Sequence, residues 1–248
     1  MSALLSTNTD NLGRTSCPQC MNLNVFLHCG QDVRVTFYDG LRILYMHEPY
    51  RRRLPHIMPP GETLFITFRL NGTVPYTVLR QMQEEHSRLV QQHIKENESI
   101  EAVKKRLEGR YFVLFDQYID SCMGSINWLQ NAEIAELVKG SLFFGDGTSY
   151  DLHAFCIMHN HVHVLLTNLC EGVPFYKILQ RLKTYMAVRA NRILNRVGQP
   201  FWQPESYDHS VRNAKSFERI IAYILNNPVK SGLVDNWEDW PHTYCRHE

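Results

Sequence analysis

The chain has 248 residues, a net charge of +1, 44% hydrophobic residues and 21% charged ones, the balance of a globular protein with room for a sizeable core. No apolar run approaches the roughly 20 residues that cross a bilayer, and no basic-then-apolar leader opens the sequence, so neither a membrane nor a secreted protein is expected. Seven scattered cysteines fit a reduced compartment better than a disulfide framework, and a near-neutral total argues against nucleic-acid binding by the surface as a whole.

In chain order, residues 1–50 read as an extension of no assigned function. Cys17-Pro-Gln-Cys20 with His28-Cys29 holds part of a zinc-knuckle pattern. No second CxxC follows, and adjacent His28 and Cys29 reach one ion together with difficulty, so zinc is not favoured there. Residues 33–38 and 41–46 flank Asp39-Gly40, a strong hairpin signal. After the basic run Arg51-Arg52-Arg53, residues 64–70 read as a buried strand closed by Asn71-Gly72. A helical insertion of about 75–130 follows. Within it, residues 77–108 are charged and helix-prone, as two helices or one broken one, and 111–115 fits a short strand or an apolar loop.

Residues 133–144 have helical spacing, stopped by Gly145-Asp146-Gly147. Strands are expected at 151–158 and 161–167, joined by a tight turn at His159-Asn160. Residues 174–195 read as a long helix with Pro174 near its first turn and Gly198 beyond its end. Residues 207–211 fit an edge strand. Residues 215–226 fit a final helix, ended by Pro228. Setting aside the hairpin, the insertion and the last helix, the order is β-α-β-β-α-β: an α+β, ferredoxin-like antiparallel sheet with helices on one face and the other face free.

The chemistry centres on His161-Val162-His163. Residues i and i+2 of a strand share a face, so two imidazoles project side by side, about 7 Å apart along the strand. Two neutral imidazoles so placed bind one divalent ion; two histidines on a half-exposed sheet face give the same pattern. On the final helix, Tyr223 and Asn227 are one turn apart on one face, at the shoulder of the stripe Phe217, Ile220, Ile221 and Ile224. That places the Tyr223 hydroxyl towards the histidines and Asn227 as a third, oxygen ligand. Such an ion keeps positions open for phosphodiester oxygens, and the phenol attacks phosphorus to give a phosphotyrosine ester. Tyr223 also reads as an ordinary aromatic at the core edge. Between Pro174 and Arg196 the sequence has six basic residues (Lys177, Arg181, Lys183, Arg189, Arg192, Arg196) and no acid. That is a stripe suited to phosphates, or a solvated helix face.

Several motifs in order carry a resemblance. Arg53-Leu-Pro-His56 precedes the strand at 64–70. Ala154-Phe-Cys-Ile-Met-His-Asn-His-Val-His-Val-Leu-Leu166 comes next, then Trp202-Gln-Pro-Glu-Ser-Tyr-Asp-His-Ser-Val-Arg212, then Tyr223-Ile-Leu-Asn-Asn-Pro-Val-Lys230, with Trp237 and Trp240-Pro241 after them. Over roughly residues 51–245 the chain resembles the REP-associated tyrosine transposases of the HUH superfamily of single-strand DNA nucleases. His159 departs from the proline the family usually has before Asn-His-Val-His.

The resemblance implies a nuclease core over 51–248, His161 and His163 as metal ligands, Asn227 as the third, and Tyr223 as nucleophile. It implies a transposase or endonuclease dependent on Mg²⁺ or Mn²⁺ that cleaves and rejoins single-stranded DNA at or near hairpin palindromes. Histidine ligation suits softer ions than magnesium, so a divalent ion is the firmer expectation. Arg53, Lys177, Arg181, Arg189, His209 and Arg212 are the candidate DNA contacts. A monomer acting in cis is favoured over a homodimer, in the bacterial cytoplasm at the nucleoid. The competing expectation is a binding module, or a domesticated transposase kept for binding single-stranded nucleic acid without cleavage.

Overall fold

The computed structural model describes residues 59–94, 99–122 and 126–246. The expected N-terminal hairpin, the Cys17 and Cys20 pattern and Arg53 lie outside the described residues. Five strands, β1 (Thr63–Arg69), β2 (Tyr150–Ile157), β3 (His161–Asn168), β4 (Tyr207–Val211) and β5 (Thr243–Cys245), form one antiparallel sheet in the order β4-β1-β3-β2-β5. The histidine-bearing strand β3 is central, and 207–211 is an edge strand, both as the sequence suggests. The short β5, which pairs with β2, has no counterpart in the sequence reading.

The central strands are apolar almost throughout rather than alternating, because helices cover both faces of the sheet. On one face lie α3 (Ala132–Phe144) and α4 (Phe175–Ile193), packed on Ile66, Phe68, Val162 and Val164. On the other lie α5 (Ala214–Lys230) and α2 (Ile100–Ser121), whose Ile224 and Phe112 close over Phe65, Ala154, Cys156 and Leu165. The expectation of a free second face is thereby corrected. The insertion also holds α1 (Tyr76–Gln92).

Residues 77–108 form parts of two helices, one of the two expected arrangements, but the second runs on to Ser121 and takes in residues 111–115, which the sequence reading gave to a strand or loop. Aromatic and β-branched residues there favour a strand in isolation. They are helical because Phe112 packs edge-to-face on Phe65 (5.4 Å) and stacks on Tyr207 (4.1 Å), and tertiary burial overrides propensity.

Helix starts follow their caps. Ser99 Oγ accepts from Ala102 N, Asn131 Oδ1 from Glu133 N and Ile134 N, and Asn213 Oδ1 from Ser216 N, each satisfying first-turn donors that have no helical partner. Pro228 does not end α5, which continues to Lys230. A proline near a helix C-terminus loses one backbone bond, and Ser231 N still reaches Asn227 O at 3.0 Å. Between α3 and β2, a Cβ on Gly145 would stand 2.5 Å from the Tyr150 ring, so only glycine admits the Tyr150 hydroxyl to its 2.7 Å bond with Leu142 O. In β2 the register shifts between Leu152 and Ala154. This bulge at His153 turns Ala154 and Cys156 onto the same face as His163.

Candidate metal and nucleophile site

The strand register fixes the centre. His163 lies opposite Thr67 on β1 and Cys156 on β2, and His161 opposite Arg69. Both imidazoles point to the α5/α2 face, with Nε2 atoms 3.0 Å apart. Hydrogen bonds decide which nitrogen is bare. Asn160 Nδ2 donates to Ile119 O (3.0 Å), so its Oδ1 faces His161 Nδ1 at 2.7 Å. His161 Nδ1–H therefore donates, and Nε2 carries a lone pair. His163 Nδ1 is 2.7 Å from Thr67 Oγ1, and its Nε2 accepts from Asn227 Nδ2 at 3.0 Å.

Both rings are fully buried, and burial holds each imidazole down to about 3; for His161 the charge on its neighbour His163 adds to this. They are neutral at ordinary pH, the state that binds metal.

α5 brings Tyr223 and Asn227 to this point from the same face. The Tyr223 ring centroid is 5.6 Å from that of His163. Its hydroxyl donates to Asp116 Oδ2. Burial first, and then the Asp116 charge, push the Tyr223 phenol well above its ordinary range, so it rests protonated.

Asp116 is wholly buried. Its Oδ1 lies 3.4 Å from His163 Nε2 and 3.9 Å from His161 Nε2. With both rings neutral these approaches are not ion pairs. One turn along α2, Asp120 Oδ1 is 3.8 Å from His161 Nε2. Lys230 Nζ lies on the outer side, 3.0 Å from Asp120 Oδ2 and 3.8 Å from Asp116 Oδ2. Asp120 is raised to about 6, by burial and then by Asp116.

The donor set fits a divalent cation. One ligand atom from each of Asp116, His161 and His163 lies within 4.8 Å of the others. The buried Asp116 Oδ1 and Asn227 Oδ1 have no hydrogen-bond partner, and such orphans are rare unless something is meant to meet them. Half a turn of the Asn227 amide brings its oxygen to the place of Nδ2, beside His163.

The structure thus gathers His161, His163, Tyr223 and Asn227 and adds Asp116, Asp120, Thr67, Asn160 and Lys230, which the sequence reading did not single out. The available signal was the i, i+4 spacing of Asp116 and Asp120, which shares one face only if residues 111–121 are helical. The proposed DNA contacts are not gathered with them. Exposed Lys177, Arg181 and Arg189 sit on α4, across the sheet from the histidines. Lys183 is consumed internally, donating to Gln203 O, Pro204 O and Ser206 Oγ, and burial holds it down to about 8. Arg196 covers the Trp128 ring at 3.8 Å. His209 pairs opposite Phe65 and is exposed on the histidine face at the sheet edge; Arg212 is exposed just after β4.

Residues 141–227, which contain both histidines, Tyr223 and Asn227, match the family model described as transposase IS200-like. Over 92 residues the chain is 30% identical to a REP-associated tyrosine transposase of Escherichia coli (strain K12), covering 37% of this chain and 52% of that protein. Over 103 residues it is 31% identical to a candidate REP-associated tyrosine transposase of Haemophilus influenzae, covering 38% of this chain and 58% of the relative. The chain therefore spans about half the length of the curated relatives it matches. A solved structure of a REP-associated tyrosine transposase bound to a REP hairpin aligns with 75% of this chain and 78% of its own, at a TM-score of 0.42 and 18% identity.

Proposed function

We propose that this chain is a tyrosine transposase of the IS200-like kind, cleaving and rejoining single-stranded DNA near hairpin palindromes through a covalent bond to Tyr223. The observation that carries this is the meeting of one phenol with two neutral imidazoles whose bare nitrogens face the same point. His161, His163, Asp116 and Asn227 are the residues to hold a divalent cation, magnesium or manganese. When bound, that ion supplies positive charge that polarises a phosphodiester and lowers the cost of a phenolate beside it.

The chain's own residues do the rest. Asn160 and Thr67 fix the two rings. Asp116 Oδ2 orients the Tyr223 hydroxyl and accepts its proton as the phenolic oxygen bonds to phosphorus. One ester oxygen leaves phosphorus as the new bond forms and takes up the proton that Asp116 received, becoming a free hydroxyl. Rejoining is the reverse, with an incoming hydroxyl displacing the tyrosine oxygen, which recovers its proton.

Tyr223 reaches the histidines of its own chain, which supports a monomer acting in cis. We assign this activity to residues 51–248 with the inserted helices, and the protein to the cytoplasm, at the nucleoid. Among the described residues no helix is long and apolar enough to cross a membrane. Arg53, Lys177, Arg181, Arg189, His209 and Arg212 are proposed contacts to DNA phosphates.

The test is a labelled single-stranded hairpin DNA incubated with the protein and Mn²⁺. A covalent protein–DNA adduct is expected, and Tyr223→Phe should abolish it. Wild-type protein that gives no adduct with any divalent ion would overturn the proposal. The complete burial of both histidines beneath α2 favours one other reading, a protein that binds single strands without cutting them. Binding that survives chelation and Tyr223→Phe, with no cleavage, would select it.

A further inference from the structure

We infer that α2 supplies two carboxylate ligands, Asp116 and Asp120, to the cation held by His161 and His163, making the centre oxygen-rich and suited to a manganese-class ion. This deepens the reading above and rests on it only for the presence of a divalent cation. The two aspartates are four residues apart, hence one helical turn apart on one face. Each has one oxygen engaged and one bare. Asp116 Oδ2 accepts from Tyr223, and Asp120 Oδ2 from Lys230 at 3.0 Å. Asp116 Oδ1 and Asp120 Oδ1 are buried with no hydrogen-bond partner.

Asp116 Oδ1 faces both imidazole Nε2 lone pairs, at 3.4 Å from His163 and 3.9 Å from His161, Asp120 Oδ1 faces that of His161 at 3.8 Å, and the nitrogens face each other at 3.0 Å. Three electron-rich atoms, Asp116 Oδ1 and the two Nε2 nitrogens, converge within 4.8 Å of one another, with Asp120 Oδ1 at their rim beside His161 and Asn227 Nδ2 donating to His163. Such a cluster is repulsive without positive charge at its centre. Lys230 does not supply it, because its ammonium sits on the outer oxygens. A cation bonded at about 2.1 Å separates its ligands by roughly 3.0–3.5 Å; the 3.0 Å and 3.4 Å spacings lie in that range and the 3.8 Å and 3.9 Å spacings just outside it.

The chemistry of the set names the ion. Imidazole alone favours the softer end of the divalent series, and carboxylate oxygens favour magnesium, calcium and manganese. Two carboxylates also balance the charge of one divalent ion in a buried place. Replacing either aspartate by its amide keeps the shape and removes the charge, so manganese should lose more than zinc does. The inserted helix thus ties the metal to the nucleophile, since one Asp116 oxygen faces the ion and the other holds the Tyr223 hydroxyl.

The experiment is a titration of the metal-free full chain with Mn²⁺, read by electron paramagnetic resonance, beside a calorimetric titration with Zn²⁺. Wild type, Asp116→Asn, Asp120→Asn and His161→Gln are compared, with circular dichroism checking each fold. Each aspartate variant is expected to lose about tenfold or more in Mn²⁺ affinity and less for Zn²⁺. Mn²⁺ affinity within about threefold of wild type in Asp120→Asn would overturn the two-carboxylate set. That variant sits at the helix rim and decides the matter even if Asp116→Asn does not fold. Wild type that binds Mn²⁺ through both aspartates but forms no DNA adduct would sink the transposase reading and leave the ligand set standing. Adduct formation with Mn²⁺ binding indifferent to both aspartates would do the reverse.

Discussion

At the scale of single residues, the site depends on a relay that starts outside it. The Ile119 carbonyl takes one end of the Asn160 amide, which turns the other end to His161 Nδ1 and so leaves Nε2 unprotonated and aimed at the cation position. Partners that orient a ligating histidine typically hold about 10–100-fold in metal affinity. Asn160→Ala should therefore weaken Mn²⁺ binding by about tenfold while both histidines remain, a change that calorimetry on the metal-free chain would register. Affinity equal to wild type would mean the His161 tautomer needs no support from Asn160. The sequence shows Asn160 only as part of a turn, because the carbonyl that gives it direction comes from a helix 41 positions away.

At the scale of elements, the sheet separates two surfaces that the sequence lists side by side. β3 points His161 and His163 to the α5/α2 side, and Val162 and Val164 to the α3/α4 side. The exposed cations of α4 stand with Tyr185, whose ring Arg189 approaches at 5.6 Å, on the far side from Tyr223. A DNA strand that touches both must pass round an edge of the sheet, and the β4 edge, with His209 and Arg212 exposed, offers basic residues on the way. If α4 contacts phosphates, each contact contributes about 0.7 to the log–log slope of single-strand affinity against salt. Arg181→Glu and Arg189→Glu should each reduce that slope by about this amount, as measured by fluorescence anisotropy from low to moderate salt. An unchanged slope in both variants would assign α4 to bystander surface and leave binding to the histidine side.

At the scale of the whole molecule, the buried centre makes the stability of the metal-free chain depend on pH. His161 and His163 are held to about 3 in the fold, against 6.5 for an ordinary histidine. Between those values the unfolded chain binds more protons. The stability they allow is whole above pH 6.5 and is lost as pH falls towards about 3. Asp120 has the opposite sign: raised from 3.8 to about 6, it costs stability above pH 6 and relieves that cost as pH falls towards 3.8. Two histidines with the larger shifts outweigh one aspartate, so the melting temperature should fall from pH 6.5 to 5, before most other carboxylates titrate. Thermal melts of a His161→Gln/His163→Gln variant should be flatter over that interval. Parallel curves for variant and wild type would show that the imidazoles are not held neutral by the fold.

The sequence by itself determined the α+β order, the central strand with its paired histidines, and the placing of Tyr223 and Asn227 on one face of a helix. Those features rest on backbone geometry alone, the alternate facing of strand side chains and the 3.6-residue helical turn. Only the tertiary structure decided that residues 111–115 are helical, that both faces of the sheet are covered, and that Asp116, Asp120 and Lys230 join the site. Each of these follows from contacts between segments far apart in the chain, such as Phe112 on Phe65 and Lys230 on Asp120. Burial against a distant partner leaves no periodic trace in the residues that make it.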